Sequence, residues 1–203
     1  MSTQPTSTYL TPEQYLEIER KAEFKSEYFG GEMFAMSGAK RAHNLVAGNA
    51  FSELHRQFRQ RQCQVYMADM RVQIPAAEMY TYPDIAAVCG EARFLDDQQD
   101  ALLNPSLIVE VLSPSTEAFD RSLKFEYYKT VESVREYLLI AQDRIHADLY
   151  IRQSDGGWLL TSSDRLEDTV TLHSVGATLC LADLYEKVEL TVLKGPFTRP
   201  LPR

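Results

Sequence analysis

A short apolar run containing one acidic residue constrains the fold of this chain more than any other stretch. In SLIVEVLSPST, residues 106–116, Glu110 stands among residues that otherwise predict a buried strand ended by Pro114. A carboxylate is almost never fully buried unless it is paired or binds a metal. Two interpretations follow from this run. Either Glu110 faces water on an edge strand, or its carboxylate points into an active site.

Composition limits the class of protein. The chain has 203 residues, of which 44% are hydrophobic, and this suits one compact domain with a sizeable core. Its formal net charge of −8 argues against a basic protein that coats nucleic acid non-specifically. The polar N-terminus lacks a signal pattern, and no apolar run reaches the ~18 residues that span a bilayer, so we expect no membrane partner.

The cysteines point to a cellular compartment. Cys63, Cys89 and Cys180 are odd in number and far apart in the sequence, with no CxxC spacing. This pattern argues against a disulfide framework and against a cysteine zinc site. We therefore expect a protein of the reducing cytoplasm.

The order of predicted elements indicates an α/β fold of mixed α+β character. Helices are predicted at residues 12–22, 41–61 and 118–131. Strands are predicted in SEYFGGEMFAMS (a hairpin), within 65–74, at 83–89, around Glu110, and in the meander EYLLIA, HADLYIRQ and GWLLTSS. Loops are predicted at 75–82 and 90–104. We expect a flexible N-terminus (1–8), a single domain (9–190) and a proline-containing tail (191–203).

The long helix predicted at 41–61 has two distinct faces. At helical spacing, an apolar stripe forms on one side and carries His43 at its N-terminal end; its members are Val46, Ala47, Ala50, Leu54 and Phe58. His43 is either a satisfied core histidine or a functional residue. The opposite side of the helix carries basic residues, namely Arg41, Arg56 and Arg59, with Lys40 nearby. They form either a solvated face or a surface that contacts phosphate.

The helix predicted at 118–131 places two charges on its apolar side. Its predicted stripe consists of Leu123, Tyr127, Tyr128 and Val131. Asp120 and Lys124 fall on that same stripe, whereas Lys129 points the other way. An exposed pair at this i,i+4 spacing contributes only ~0.3–0.5 kcal/mol. Charges that face inward need another explanation, so Lys124 is the lysine to examine.

Two carboxylates lie on core-like strands. Asp84 follows Pro83, and Glu110 interrupts the apolar run. If the fold pairs their strands, these carboxylates and a backbone carbonyl form an oxygen-rich site for Mg²⁺. If it does not, Asp84 caps a loop and Glu110 lies on an edge.

Taken together, these stretches resemble a known family. The chain resembles the PD-(D/E)XK nuclease superfamily in the order of its residues: Pro83-Asp84, then Glu110-Val111-Leu112, then Lys124. Within that superfamily it is similar to the Uma-two family of restriction-type endonucleases. The match extends over about residues 9–185 and is most specific at VEVLSPST; SEYFGGEM, MSGAKRAHN, YPDIAAV and DRSLKFEYYKTVESVREYLLI also carry it. The resemblance implies a restriction-endonuclease-like core, with a central mixed β-sheet flanked by helices, an N-terminal helix and hairpin, and a C-terminal antiparallel meander.

The resemblance also implies roles for individual residues. Asp84, Glu110 and the carbonyl of Val111 would bind Mg²⁺, with Mn²⁺ as a substitute. Lys124 would replace the lysine expected two residues after the glutamate, where this chain has Leu112. Glu27 and His43 would face the same pocket.

The function expected on this basis is metal-dependent hydrolysis of phosphodiester bonds. The partner would be nucleic acid, with DNA expected, and a two-fold homodimer would supply two sites for double-strand cleavage. Two alternatives stay open. One is a non-catalytic nuclease-like module that binds nucleic acid or protein, and the other is a hydrolase of nucleotides or small phosphate esters. The sequence does not decide between DNA and RNA, and it does not give the recognition sequence or the number of metal ions.

Overall fold

The computed structural model describes residues 9–190, so the predicted flexible N-terminus (1–8) and proline-containing tail (191–203) lie outside the described residues. The helices within this range are α1 (Pro12–Glu19), α2 (Arg41–Phe58), α3 (Glu117–Phe119), α4 (Phe125–Lys129) and α5 (Leu181–Leu184). A π-helical turn, Asp120–Lys124, joins α3 to α4, and a 3₁₀ turn covers Pro75–Ala77. None of these helices is long and apolar enough to cross a membrane.

The strands form two sheets and a ribbon. In chain order they are β1 (Ser26–Phe29), β2 (Glu32–Ala35), β3 (Cys63–Met67), β4 (Arg71–Ile74), β5 (Met79–Thr81), β6 (Ile85–Cys89), β7 (Ala101–Leu102), β8 (Leu107–Leu112), β9 (Glu136–Ala141), β10 (Ala147–Arg152), β11 (Trp158–Ser163), β12 (Thr169–Leu172) and β13 (Ala177–Cys180). The larger sheet has the order β11-β10-β9-β8-β6-β3, and the smaller has β2-β1-β5-β4-β7. Strands β12 and β13 pair separately.

Strand β8 lies inside the larger sheet. It pairs antiparallel with β6 and parallel with β9, and every one of its residues is buried. Both faces are covered, which explains why its sequence is a nearly continuous apolar run rather than an alternating one. The interpretation of Glu110 as a water-facing residue on an edge strand is therefore wrong.

Helix α2 covers one face of the larger sheet. The whole predicted stripe of this helix is buried, from Val46 to Phe58, and packs against β8 residues such as Val109 and Val111. On the other face, Ile108 and Leu112 pack against Phe125 and Tyr137. The predicted mixed α/β architecture, with a sheet flanked by helices and a C-terminal meander (β9 to β11), is confirmed.

Several predicted boundaries differ from the structure. Helices α1 and α2 end at Glu19 and Phe58, each three residues earlier than predicted. The two predicted loops contain short strands, β5 and β7, that complete the smaller sheet. Both are only two or three residues long, and a pattern of alternation cannot be recognised over so few positions.

The structure contains a disulfide, although the cysteine spacing argued against disulfides. Cys63 on β3 and Cys89 on β6 are directly opposite in the antiparallel register, and their sulfur atoms are bonded. Strand pairing brings these distant positions together, and sequence spacing does not reveal this. Cys180 is a free thiol.

Candidate active site

The pairing of β6 with β8 brings the two predicted carboxylates to one place. Ile85 is the register partner of Val109, so Asp84, just before β6, lies beside Glu110. The backbone N–H of Val111 donates a hydrogen bond of 2.7 Å to Asp84 Oδ2. The fold therefore joins the strand ends as the metal-site hypothesis required, and Asp84 does not merely cap a loop.

Lys124 lies at the centre of a group of carboxylates. Its Nζ is 2.9 Å from Glu110 Oε1, 3.5 Å from Glu27 Oε1 and 3.7 Å from Asp120 Oδ1. Lys124, Glu110 and Asp120 are each at most 5% exposed. The i,i+4 pair of Asp120 with Lys124 is buried. It therefore differs from the weak exposed pair that this spacing alone suggests.

The π-helical turn explains how Lys124 comes to face inward. A π-turn holds more residues than an α-turn. Positions four apart therefore lie closer to one line than in an α-helix, and positions three apart point in more different directions. Asp120, Lys124 and Tyr128 are all buried, whereas Leu123 is exposed. The predicted stripe is therefore wrong at Leu123, because it assumed a regular α-helical period. Tyr137 Oη fixes the turn by donating a 3.0 Å hydrogen bond to the Asp120 carbonyl.

His43 lies at the cleft end of helix α2. Its Nε2 is 3.3 Å from Asp84 Oδ2. Burial opposes protonation, but Asp84 and the Val111 backbone raise the pKa of His43 above its usual value. The polar contacts of His43 are with a carboxylate of the cleft, which favours the functional interpretation over that of a core histidine.

Glu27 reaches the cleft from strand β1 of the smaller sheet. Its Oε1 accepts hydrogen bonds from the Thr81 hydroxyl and, at 3.3 Å, from the Tyr82 backbone N–H. The cleft is thus built where the two sheets meet, with Glu27 from one sheet and Glu110 from the other.

The electrostatic state of the cleft follows from burial and from the excess of carboxylates. Burial raises the pKa of Glu110 well above its usual value, and burial likewise raises that of Asp120. Burial disfavours the charged form of Lys124, but Glu110, Glu27 and Asp120 outweigh it and hold its pKa well above the ordinary value. Lys124 therefore stays protonated at neutral pH.

The donor set fits a hard divalent cation. Asp84, Glu110 and the Val111 carbonyl supply the oxygen ligands that Mg²⁺ prefers, and such a site leaves room for several waters. Glu110 Oε1 is buried and pairs with Lys124 by distance, yet no donor within residues 9–190 meets hydrogen-bond geometry to it. Over the same residues, no group of three or more His, Cys, Asp or Glu side chains is arranged as a metal site. The candidate ligands are thus two carboxylates and one carbonyl.

All of these groups line one cleft of about 880 Å³. The structure brings together every predicted site residue: Glu27, His43, Asp84, Glu110, Val111 and Lys124.

On helix α2, Arg41 lies 3.3 Å from Glu189, and Arg56 donates a 2.9 Å hydrogen bond to Glu53. These ion pairs favour the interpretation of that side as a solvated basic face.

Two cleft residues were missed or undervalued by the sequence analysis. Asp120 was considered only as a partner of Lys124, but its carboxylate belongs to the same buried group. Gln142 lines the cleft, is buried, and its Oε1 has no hydrogen-bond donor within the described chain. It follows β9 directly, and a polar residue at the end of the apolar run EYLLIA was the available signal.

Comparisons with known proteins agree with this architecture. The sequence profile of the Uma2 family, described as "Putative restriction endonuclease", matches residues 12–182. The uncharacterized protein sll1609 of Synechocystis sp. (strain ATCC 27184 / PCC 6803 / Kazusa) is 40% identical over 156 residues, which cover 77% of this chain and 88% of sll1609. The uncharacterized protein slr1290 of the same organism is 34% identical over 179 residues, which cover 87% of this chain and 91% of slr1290.

A solved structure shows the same fold. It is the crystal structure of "a putative nuclease belonging to DUF820" from Anabaena variabilis ATCC 29413, and it matches with a TM-score of 0.70. The match covers 87% of this chain and 98% of that one, at 18% sequence identity. At this level of identity the likeness establishes the fold alone.

Proposed function

Because this chain belongs to the Uma2 family of restriction-endonuclease-type proteins, we propose that it is a metal-dependent endonuclease that hydrolyses phosphodiester bonds, with DNA as the expected substrate. One observation carries the proposal. Asp84 and Glu110 lie side by side on paired strands, and the ammonium group of Lys124 is 2.9 Å from Glu110, at the floor of an open cleft.

The proposed ligands of Mg²⁺ are Asp84, Glu110 and the Val111 carbonyl, with Mn²⁺ expected to substitute. When bound, the ion lowers the pKa of a coordinated water and neutralises the charge that develops on phosphorus. Asp84 is oriented for this role by the Val111 N–H, which fixes one of its oxygens. Glu110 is tolerated in a buried strand because positive charge neutralises it there.

Lys124 acts in this proposal as a fixed positive charge. Glu110, Glu27 and Asp120 raise the pKa of Lys124 against the effect of burial, so in this proposal the lysine contributes its positive charge. It orients the attacking water or stabilises the growing charge at the phosphate. His43 contacts phosphate or positions a water, and Glu27 holds Lys124 in place from the opposite sheet.

Supercoiled-plasmid nicking tests the proposal. Wild-type protein is expected to nick with Mg²⁺ or Mn²⁺ and to stop in EDTA. Glu110→Gln and Lys124→Ala are expected to lower the rate by roughly 10²–10³-fold, the cost of removing a group that stabilises the transition state. The matched controls are Glu126→Gln and Lys129→Ala, a partly exposed ion pair on α4 that does not line the cleft, which should stay within about twofold.

Two results would contradict the proposal. Cleavage that survives in Glu110→Gln at the wild-type rate would show that another site does the chemistry. Absence of cleavage of plasmid, single strands and RNA by wild-type protein that still binds Mn²⁺ would favour a non-catalytic nuclease-like module. The expected homodimer is checked separately, by light scattering of the full chain.

A further inference from the structure

The rim of the cleft carries an unusual share of the exposed apolar surface. Ten large apolar side chains are exposed within residues 9–190, and four of them line this one cleft: Phe24, Phe34, Met67 and Phe119. They are between 37% and 78% exposed. Single exposed apolar residues are common on any protein. Four around one opening, including three of the four exposed aromatic rings, indicate a surface that binds something.

These four side chains come from separate parts of the fold. Phe24 precedes β1, Phe34 lies on β2, Met67 ends β3 and Phe119 ends α3. No single amphipathic element explains their clustering, since each segment presents one of them independently. These four rim residues therefore belong to the cleft itself, which also contains the buried Glu110 and Lys124.

The charges of the cleft do not suit a DNA duplex. Affinity for duplex DNA grows with the number of phosphates that Lys and Arg neutralise. The lysines that line the cleft are Lys25, Lys40 and Lys124, against five carboxylates. Lys124 is buried, and Lys25 Nζ already donates to Asp69 Oδ1 at 2.7 Å and to the Ala68 carbonyl at 3.0 Å. Exposed rings outnumber accessible cations at this opening.

We propose that the cleft takes a nucleic-acid strand with unpaired bases, and that bases beside the scissile phosphate stack on the rim rings, chiefly Phe34 and Phe119. This inference rests on the proposed nuclease function and specifies its substrate class as single-stranded segments, ends or loops. Aromatic rings bind unpaired bases through their π-faces, which a duplex does not present. The cations needed for the phosphates are then few, as observed.

Fluorescence anisotropy with the full-length chain tests this inference. The probes are a labelled 20-nucleotide single strand and the duplex of the same sequence, each in Ca²⁺ buffer and in EDTA. The single strand should bind at least about tenfold more tightly than the duplex. Phe34→Ala and Phe119→Ala should each weaken single-strand binding by roughly 5- to 100-fold, the range for one stacked base.

Matched variants separate stacking from loss of structure. Phe34→Trp keeps an aromatic face, so it should retain single-strand affinity, and its indole fluorescence should be quenched by the bound strand. Leu159→Ala removes an exposed apolar side chain of β11 that is 51% exposed and lies away from the cleft. Its affinity should stay within about twofold of wild type.

Three outcomes would overturn the inference. Equal or tighter binding of the duplex is one, and unchanged single-strand affinity in both alanine variants is another. The third is dissociation of a dimer by these variants, seen by light scattering without any loss of single-strand affinity, because the rim would then be an interface between two copies. If wild-type protein nicks plasmid but the rim variants bind the single strand normally, the stacking inference is wrong and the proposed nuclease function stands. Rim-dependent binding without any cleavage removes only the nuclease.

Discussion

Two of the regions that bury charged groups within residues 9–190 do so in different ways. In the cleft cluster (Glu27, Asp84, Glu110, Asp120 and Lys124), one ammonium group lies within 3.7 Å of three carboxylates. In the second region, the N-terminal cluster, Arg20 binds Asp96 and Asp100, Arg71 binds Asp100 and Tyr82, and Tyr82 donates to Glu19.

The difference lies in balance and access. In the N-terminal cluster each arginine has a carboxylate partner, and its charged residues do not line the cleft, where Tyr82 is its one contribution. The cleft cluster has an excess of carboxylates and opens to solvent through 880 Å³ of space. Burial of charge alone therefore does not identify a functional site. The proposal of a functional site rests instead on the excess of carboxylates beside an opening, through which a cation can enter to balance them.

The largest effect is expected from removing the only ammonium group of the cleft cluster. Lys124→Met leaves buried carboxylates without a partner and should lower the free energy of unfolding by about 3–5 kcal/mol at pH 7.5. The pKa values of Glu110 and Asp120 are already raised by burial, so the folded variant takes up protons on acidification. The loss should shrink at pH 5, since raised carboxyl pKa values destabilise the fold only as pH rises.

Urea unfolding at the two pH values measures this, with Lys129→Met as the control on the opposite side of the helix. An equal loss at pH 5 and pH 7.5 would show that carboxylate repulsion is not the cause.

A smaller loss is expected in the N-terminal cluster. Glu19 Oε1 accepts hydrogen bonds from Tyr82 Oη at 2.8 Å and from the Ser26 N–H at 2.9 Å. Glu19→Ala leaves both donors unsatisfied, so the free energy of unfolding should fall by about 2–4 kcal/mol. Glu19→Gln keeps an acceptor and should lose less than about 1 kcal/mol. Nicking per folded molecule should be unchanged in both, and a nicking rate tenfold lower would contradict the separation of the two clusters.

Metal binding should stabilise only through the cleft cluster. At ten times its dissociation constant, Mg²⁺ should raise the free energy of unfolding by about 1.4 kcal/mol. The rise should appear in wild type and Glu19→Ala and be absent in Glu110→Gln, as measured by thermal unfolding with and without the ion. The same rise in Glu110→Gln would place the bound ion elsewhere.

The smallest effect is expected when the cleft cluster loses one of its excess carboxylates. In Mg²⁺-free buffer, Glu110→Gln should change the free energy of unfolding by less than about 1 kcal/mol, because Lys124 keeps Asp120 and Glu27 as partners while a buried charge disappears. A loss as large as that of Lys124→Met would mean that Glu110 is structural.

Sequence alone predicts the parts of this molecule in which apolar residues follow one regular pattern. The α2 stripe repeats over five buried positions, and the β8 run is apolar except at Glu110, so helix, strand and the unusual carboxylate are all recognisable. The residues themselves suggested a pairing of Asp84 with Glu110, and resemblance to a family added Glu27 and His43 to that pair. The structure brings them to one cleft, while their chemical roles stay predictions.

The remaining features depend on long-range pairing or on a broken period. The opposition of Cys63 and Cys89 follows from strand register, which the spacing of cysteines does not encode. Leu123 was placed inward because a regular α-helix was assumed where a π-turn occurs. The burial of Asp120, which is 4% exposed, belongs to the same π-turn, and Tyr137 contacts that turn through a hydrogen bond to the Asp120 carbonyl.

The π-helical turn fixes the direction in which each side chain of this segment points. The number of residues in the turn therefore matters more than the identity of each one. Each residue of an α-helix advances the side-chain direction by about 100°, so deleting one residue between Asp120 and Lys124 would turn the Asp120 carboxylate out of the cleft while Lys124 and Tyr128 stayed anchored. Leu112 packs in the core beside Phe125 and Tyr137. Larger or smaller apolar residues there would alter the core and leave the charged apparatus untouched.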